Sequence, residues 1–132
     1  MSKKVLNLTN HSVTVEQEYE LKTKWEVSEI INLPDNLKKT FGNVPPEFES
    51  LQNFCQPFIR WIEENFRPDI LLWIQGEPGF IFILVSYFKR KGYRVIHATT
   101  VRQVIENGPE KRSIFSHSRF REYELIDISE ES

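Results

Sequence analysis

The sequence predicts an α/β fold, a mostly parallel sheet with helices on both faces and a short C-terminal β-hairpin. Three observations lead there. Strand-like and helix-like segments alternate along the chain, the order that builds parallel sheets. Ile70-Leu71-Leu72-Trp73-Ile74 is an unbroken apolar run, as in a strand covered on both faces. Helix punctuation recurs between the strands, in Thr14-Val15-Glu16-Gln17, Pro45-Pro46-Glu47 and Lys89-Arg90-Lys91-Gly92.

Val5-Leu6-Asn7-Leu8-Thr9 reads as the first strand, ended by Asn10-His11-Ser12. The Thr14-x-x-Gln17 capping box starts a helix that runs to about Lys24. Trp25 to Leu33 alternates imperfectly and reads as a second strand; Pro34 to Val44 is polar and reads as a connection. From Phe48 to Phe66 apolar residues fall at helical spacing, and Pro57 inside the run should kink or split that helix. Phe80 to Phe88 suits a strand by its aromatic and β-branched residues and a helix by the cations and glycine that follow; the helix is slightly favoured. Tyr93 to Ala98 is a strand. Thr99-Thr100 can cap a short helix through Asn107, stopped by Gly108-Pro109. Ser113 to Ser118 and Glu122 to Ile128 would pair as short strands, and Ser129 to Ser132 would be a loose tail.

At 132 residues the chain has the length of one domain, and its 39% hydrophobic content exceeds that of disordered chains. The net charge of -2 argues against duplex nucleic acid held by bulk charge. One cysteine, Cys55, leaves no internal disulfide and no four-Cys zinc site. His11, His97 and His117 lack metal-ligand spacing, so no metal is expected. Neither Gly-x-Gly-x-x-Gly nor a Walker loop is present, and no cofactor is expected. The apolar stretch near the start is too short for a signal peptide, and the longest apolar run is too short for a bilayer span. A soluble, cytoplasmic protein is the expectation.

Ligands of open α/β sheets bind beyond the carboxyl ends of the strands. The residues there are Asn10-His11-Ser12, Gln75-Gly76 and Thr99-Thr100-x-Arg102, so polar, small and cationic groups should converge on one rim. From His97 to Arg121 there are five cations (Arg102, Lys111, Arg112, Arg119, Arg121) and two acids (Glu106, Glu110), a local charge of +3. Glu122 to Ser132 then holds five acids and no cation. Local positive charge of this kind suits a small anion. Arginine forks match phosphate oxygens, hydroxyls and free N–H groups at a helix start bind them, and Gly76 and Gly79 admit close backbone approach.

Four motifs occur in order across nearly the whole chain: Asn7-Leu8-Thr9-Asn10-His11 with Thr14-x-x-Gln17; Gln75-Gly76-Glu77-x-Gly79; His97-Ala98-Thr99-Thr100-x-Arg102; and Phe115-x-His117-x-Arg119-Phe120-Arg121-x-Tyr123. Together they resemble the small single-domain ring nucleases that accompany type III CRISPR systems. The sequence departs from that pattern at Pro78 and at His97, where tyrosine is common in the family. The resemblance implies a Rossmann-like, CARF-like domain over residues 1–132 and a homodimer with a ligand cleft between the copies. It also implies a cyclic oligoadenylate substrate, most often the tetramer, cut to linear adenylate with a 2′,3′-cyclic phosphate. It settles Phe80 to Phe88 as a helix.

Such cleavage needs no protein nucleophile. A ribose 2′-oxygen attacks the adjacent phosphorus, so the protein aligns it and stabilises the developing charge. On this reading His11 is the general acid or base and His117 the second candidate. Arg102, Arg119 and Arg121 hold phosphates, Thr99 and Thr100 hydrogen-bond them, and Asn10 and Gln75 position ribose or adenine. Plainer roles compete for other residues. His97 reads as a satisfied sheet residue, Lys89-Arg90-Lys91 as helix-end charge, and Cys55 as a buried apolar side chain. Two rival functions share these groups: sequestration of the cyclic nucleotide without cleavage, and an interaction domain without a nucleotide ligand.

Overall fold

A computed structural model describes residues 3–128; the expected loose tail, 129–132, lies outside them. The chain runs β1 (Lys3–Leu8), α1 (Val15–Lys24), β2 (Val27–Asn32), α2 (Asp35–Phe41), α3 (Gln52–Asn65), β3 (Leu71–Ile74), α4 (Pro78–Arg90), β4 (Arg94–Asn107) and β5 (Glu110–Glu122). The five strands form one sheet in the order β2-β1-β3-β4-β5. β1 to β4 are parallel to their neighbours and β5 is antiparallel to β4. The α/β class and the mostly parallel sheet are therefore as the sequence predicts. No helix among the described residues is long and apolar enough to cross a membrane.

The central strands explain the apolar runs. Val5 to Leu8 and Leu71 to Ile74 are buried throughout, because helices cover both faces there. On one face Leu21 of α1 packs with Val5, Trp73, Ile96 and Phe120. On the other, Phe41, Phe58, Ile62, Phe80 and Leu84, from α2, α3 and α4, pack over Leu6, Leu8, Leu72 and Ile74. The predicted capping box is present: Gln17 N–H donates to Thr14 Oγ1, and Thr14 N–H donates to Gln17 Oε1.

Phe80 to Phe88 is helical, inside α4, and its start shows why. Pro78 occupies the first turn, and a Glu77 carboxylate oxygen accepts from Gly79 N–H. α3 begins at Gln52 instead of Phe48, and Pro57 does not split it, since only the single bond to the residue four positions earlier is lost. The segment read as a connection contains α2. Seven residues are too few to display helical periodicity, and Phe41 is the only one of them fully buried.

The largest departure lies after Ala98. Thr99 to Asn107 is not a helix; β4 continues through it and pairs with β5 from Ile96↔Glu122 to Asn107↔Glu110. Gly108 sits at φ 66° in the turn between them, so Gly108-Pro109 is a two-residue hairpin turn and not a helix stop. Thr99, Thr100, Val101, Val104 and Ile105 are β-branched and fit the ribbon. The predicted pairing of Ser113–Ser118 with Glu122–Ile128 is replaced by this one, and residues 123–128 join no strand. β3 pairs with β4 only as far as Ile96, so beyond that point β4 and β5 form a two-stranded arm.

Candidate functional site

In this strand order the chain leaves β1 toward β2 on one side and β3 toward β4 on the other. The reversal between β1 and β3 is where open α/β sheets bind ligands. Leu8 pairs with Ile74, and Gln75 N–H donates to Leu8 O at 3.2 Å, so the loops leaving the two strands emerge side by side. Asn10, His11, Gly76 and Glu77 are exposed there.

A buried polar knot shapes the first loop. Thr9 Oγ1 donates to Asn7 Oδ1 at 2.7 Å, Asn7 Nδ2 donates to His11 O at 3.1 Å, and His11 N–H donates to Thr9 Oγ1 at 3.1 Å. Asn7 and Thr9 are both only 2% exposed, so paired polar groups fix the backbone of His11 while its ring stays in solvent. Gly42, after α2, closes on the same loop: a Cβ added there would lie 2.5 Å from Asn10 Cγ.

Gln75 ties the second loop to β4. Its Oε1 accepts from Ala98 N–H and from Trp73 Nε1, both at 2.6 Å. The side chain expected to position ribose or adenine thus joins β3 to β4 through its oxygen. Next to it, Arg121 Nε donates to His97 Nε2 at 3.4 Å, and the His97 ring lies 4.6 Å from that of Tyr123. Tyr123 OH donates to Ile74 O at 2.8 Å. Burial pushes the His97 imidazole below its ordinary value, and the Arg121 cation pushes it further the same way, against a hydrogen bond with the Ala98 backbone. His97 is therefore neutral at pH 7, with Nε2 as acceptor.

The other predicted site residues separate. Thr99 and Thr100 head no helix, so they offer no free N–H groups of a first turn. Thr99 sits opposite Ser118 and Arg119 at a bulge, where its hydroxyl donates to Arg119 O at 2.7 Å. Thr100 is exposed and pairs with His117 in the ladder. Arg102 stands on the arm, donating to Ser113 Oγ and lying 6.0 Å over the Phe115 ring. Arg119 lines a cleft with Lys3, Lys24, Trp25 and Arg94. Lys3 and Arg94 begin β1 and β4, so that cleft lies at the strands' amino ends, away from His11 and Gln75.

His117 is enclosed. Its Nε2 lies 2.6 Å from Glu20 Oε1, its side chain is 6% exposed, and its Nδ1 is buried without a partner. The Glu20 carboxylate also accepts from Trp25 Nε1 at 3.0 Å and from Phe120 N–H at 2.8 and 3.0 Å. Sequence reasoning missed Glu20, because nothing local distinguishes it from the exposed acids of α1. The faint signal was that it stands one position before Leu21, at the edge of the helix's apolar face. Burial alone would raise this carboxyl, but the hydrogen bonds from Trp25, Phe120 and His117 outweigh it and hold it below its ordinary value. Burial pushes the Cys55 thiol up to about 11, which suits a core residue and not a nucleophile. Among the described residues no group of three His, Cys, Asp or Glu side chains is placed to hold a metal ion.

Comparison with known proteins matches residues 3–121 to the family described as "Uncharacterized protein MJ1673 family". The chain belongs to that family. A relative in Methanocaldococcus jannaschii, "Uncharacterized protein MJ1673", is 28% identical over 124 residues, covering 91% of this chain and 96% of the relative. No solved structure matches the chain. In this member of the MJ1673 family the matched span takes in all of the sheet but its last residue, Glu122, together with the rim from Asn10 to Gln75 and the arm.

Proposed function

We propose that the protein is a Rossmann-like, CARF-like ring nuclease that binds a cyclic oligoadenylate, cyclic tetra-adenylate above all, and opens it. In a type III CRISPR system it would act in the cytoplasm to switch off signalling. The observation that supports this best is the convergence of Asn10, His11, Gln75 and Gly76 where the sheet order reverses, with Arg121 on the neighbouring strand pair. One chain presents this rim open to solvent, so a ring of four nucleotides is enclosed by two copies about a two-fold axis.

In this reading Arg121 holds phosphate, Asn10 contacts ribose or base, and Gln75 keeps the β3 and β4 ends together. His11 takes the 2′-hydroxyl proton as that oxygen attacks phosphorus, or gives a proton to the departing 5′-oxygen as the P–O5′ bond breaks. No metal is needed for the balance. His117 and Arg119 hold the arm to the body and take no direct part.

Single-turnover incubation with cyclic tetra-adenylate, followed by chromatography, tests the proposal. The expected product is linear adenylate ending in a 2′,3′-cyclic phosphate, formed in the presence of a chelator. His11→Ala should slow it about 100-fold, and an unchanged rate rejects that role. Gly42→Ala should weaken ligand binding about tenfold by displacing Asn10. Its backbone φ of -83° suits alanine, so thermal stability should stay within about 0.5 kcal/mol. Equal affinity in Gly42→Ala would remove Asn10 from the site.

A second reading, capture without cleavage, is favoured by one observation: of His11, His117 and Arg119, only His11 is exposed at the rim. Intact ligand recovered after prolonged incubation with stoichiometric protein selects it.

A further inference from the structure

The arm carries exposed apolar side chains on both faces. Every residue from Thr100 to Ser116 is exposed. By ladder register Val101, Ile105 and Ile114 share one face with Arg112, while Val104 and Phe115 share the other with Arg102. These five apolar side chains are 43–64% exposed. A two-stranded ribbon has no core of its own and is marginal in water unless something packs on it. Its strands extend about 25 Å past the sheet at the usual rise per residue.

The same chain carries a complementary segment that it does not use. Glu124-Leu125-Ile126-Asp127-Ile128 follows β5 without joining any strand. Leu125, Ile126 and Ile128 are 59%, 86% and 73% exposed. Its charge is opposite to the arm's. From Thr100 to Ser116 there are three cations and two acids, whereas Glu122 to Ser132 has five acids and no cation. The two segments leave β5 at opposite ends. The arm begins where Thr100 meets His117 and runs to Gly108, while the acidic segment begins beyond Glu122, beside Lys89 at the end of α4. One chain does not bring them together.

We propose that the arm of one copy packs its Val101, Ile105 and Ile114 face against the Leu125 to Ile128 segment of a second copy, with Arg112 meeting the acids Glu124 and Asp127. The contact repeats about a two-fold axis, so each copy gives one arm and one acidic segment and the assembly closes as a dimer. Duplex nucleic acid is a poorer occupant. Two of the arm's five charges are acids, one of them paired with Lys111, and five large apolar side chains lie exposed between those charges. The contact deepens the functional reading by naming the surface that joins the two copies, yet it stands on the arm and the acidic segment alone.

The test uses the full chain and no nucleotide, so its outcome is separate from that of the cleavage assay. Light scattering should give twice the 15.7 kDa chain mass. Ile105→Asp and Ile126→Asp should each halve it while leaving the melting temperature of the body unchanged, since both sites are exposed. Ile114→Cys protein mixed with Ile126→Cys protein under mild oxidation should give a mixed disulfide-linked dimer, with buried Cys55 unreactive. Three results overturn the proposal. They are a monomer across the concentration range, a dimer whose mass ignores both aspartate variants, and a bond within one chain when both cysteines are placed in the same molecule.

Discussion

Replacing Glu20 by alanine is expected to destabilise the protein by about 3 kcal/mol, within the range for breaking a buried pair. The carboxylate accepts from His117, Trp25 Nε1 and Phe120 N–H, and Glu20 is itself only 8% exposed. Alanine leaves all three donors facing a void, and unsatisfied buried donors are what make such changes costly. For a chain of this size the melting temperature should fall by about 10 °C. Because Glu20 fastens α1 to β5 at the bulge where the arm begins, amide exchange should rise first at Phe120 and its ladder partner Ala98. The effect has a pH signature. The folded carboxyl sits below its ordinary value of 4.5, so the unfolded chain takes up the proton first as pH falls. The Glu20 contribution is complete above about pH 4.5 and is lost as pH drops through the folded value. The gap between the melting temperatures of wild type and Glu20→Ala should therefore be widest near neutrality and narrow below pH 4.5. A constant gap from pH 7 to pH 3 would mean that carboxylate charge is not its source.

Phe80→Ala should cost about 4 kcal/mol, as for other large-to-small changes at fully buried aromatics. Phe80 lies in the first turn of α4, and its ring centroid is 4.9 Å from Phe41, 5.1 Å from Phe54 and 5.2 Å from Phe58. These rings join α2, α3 and α4 beneath the rim. Gly76 rests on the same layer: a Cβ there would meet Phe41 at 3.3 Å and Ile81 at 3.2 Å. Loss of the Phe80 ring should lower the denaturant midpoint without changing its slope. Phe80→Leu, which keeps most of the volume, should cost under about 1.5 kcal/mol. A loss below 1 kcal/mol for the alanine variant, on the order of a surface change, would show that the four rings are not packed together in solution.

Elements with short-range signals were legible. The Thr14–Gln17 box, the apolar run before Gln75, and the cations and glycine after Phe88 each act within a few residues, and each element formed there. Equally legible was the meeting of the β1 and β3 ends, because parallel strands must carry their carboxyl ends to one edge. α2 was not legible, since its seven residues owe their helix to Phe41 reaching rings in α3 and α4.

What the sequence alone determined is thus the α/β class, the parallel core and the placing of Asn10, His11, Gln75 and Gly76 at its edge. Tertiary structure decided the rest. Thr99 to Asn107 carries signals for helix and strand alike, and pairing with β5 selects the strand. Whether His117 is a free acid–base group or a clamp depends on Glu20, 97 residues earlier in the chain. The physical reason is range: caps, turns and apolar runs act on neighbours in sequence, whereas ladder partners and buried charge partners are chosen only when distant segments are brought together.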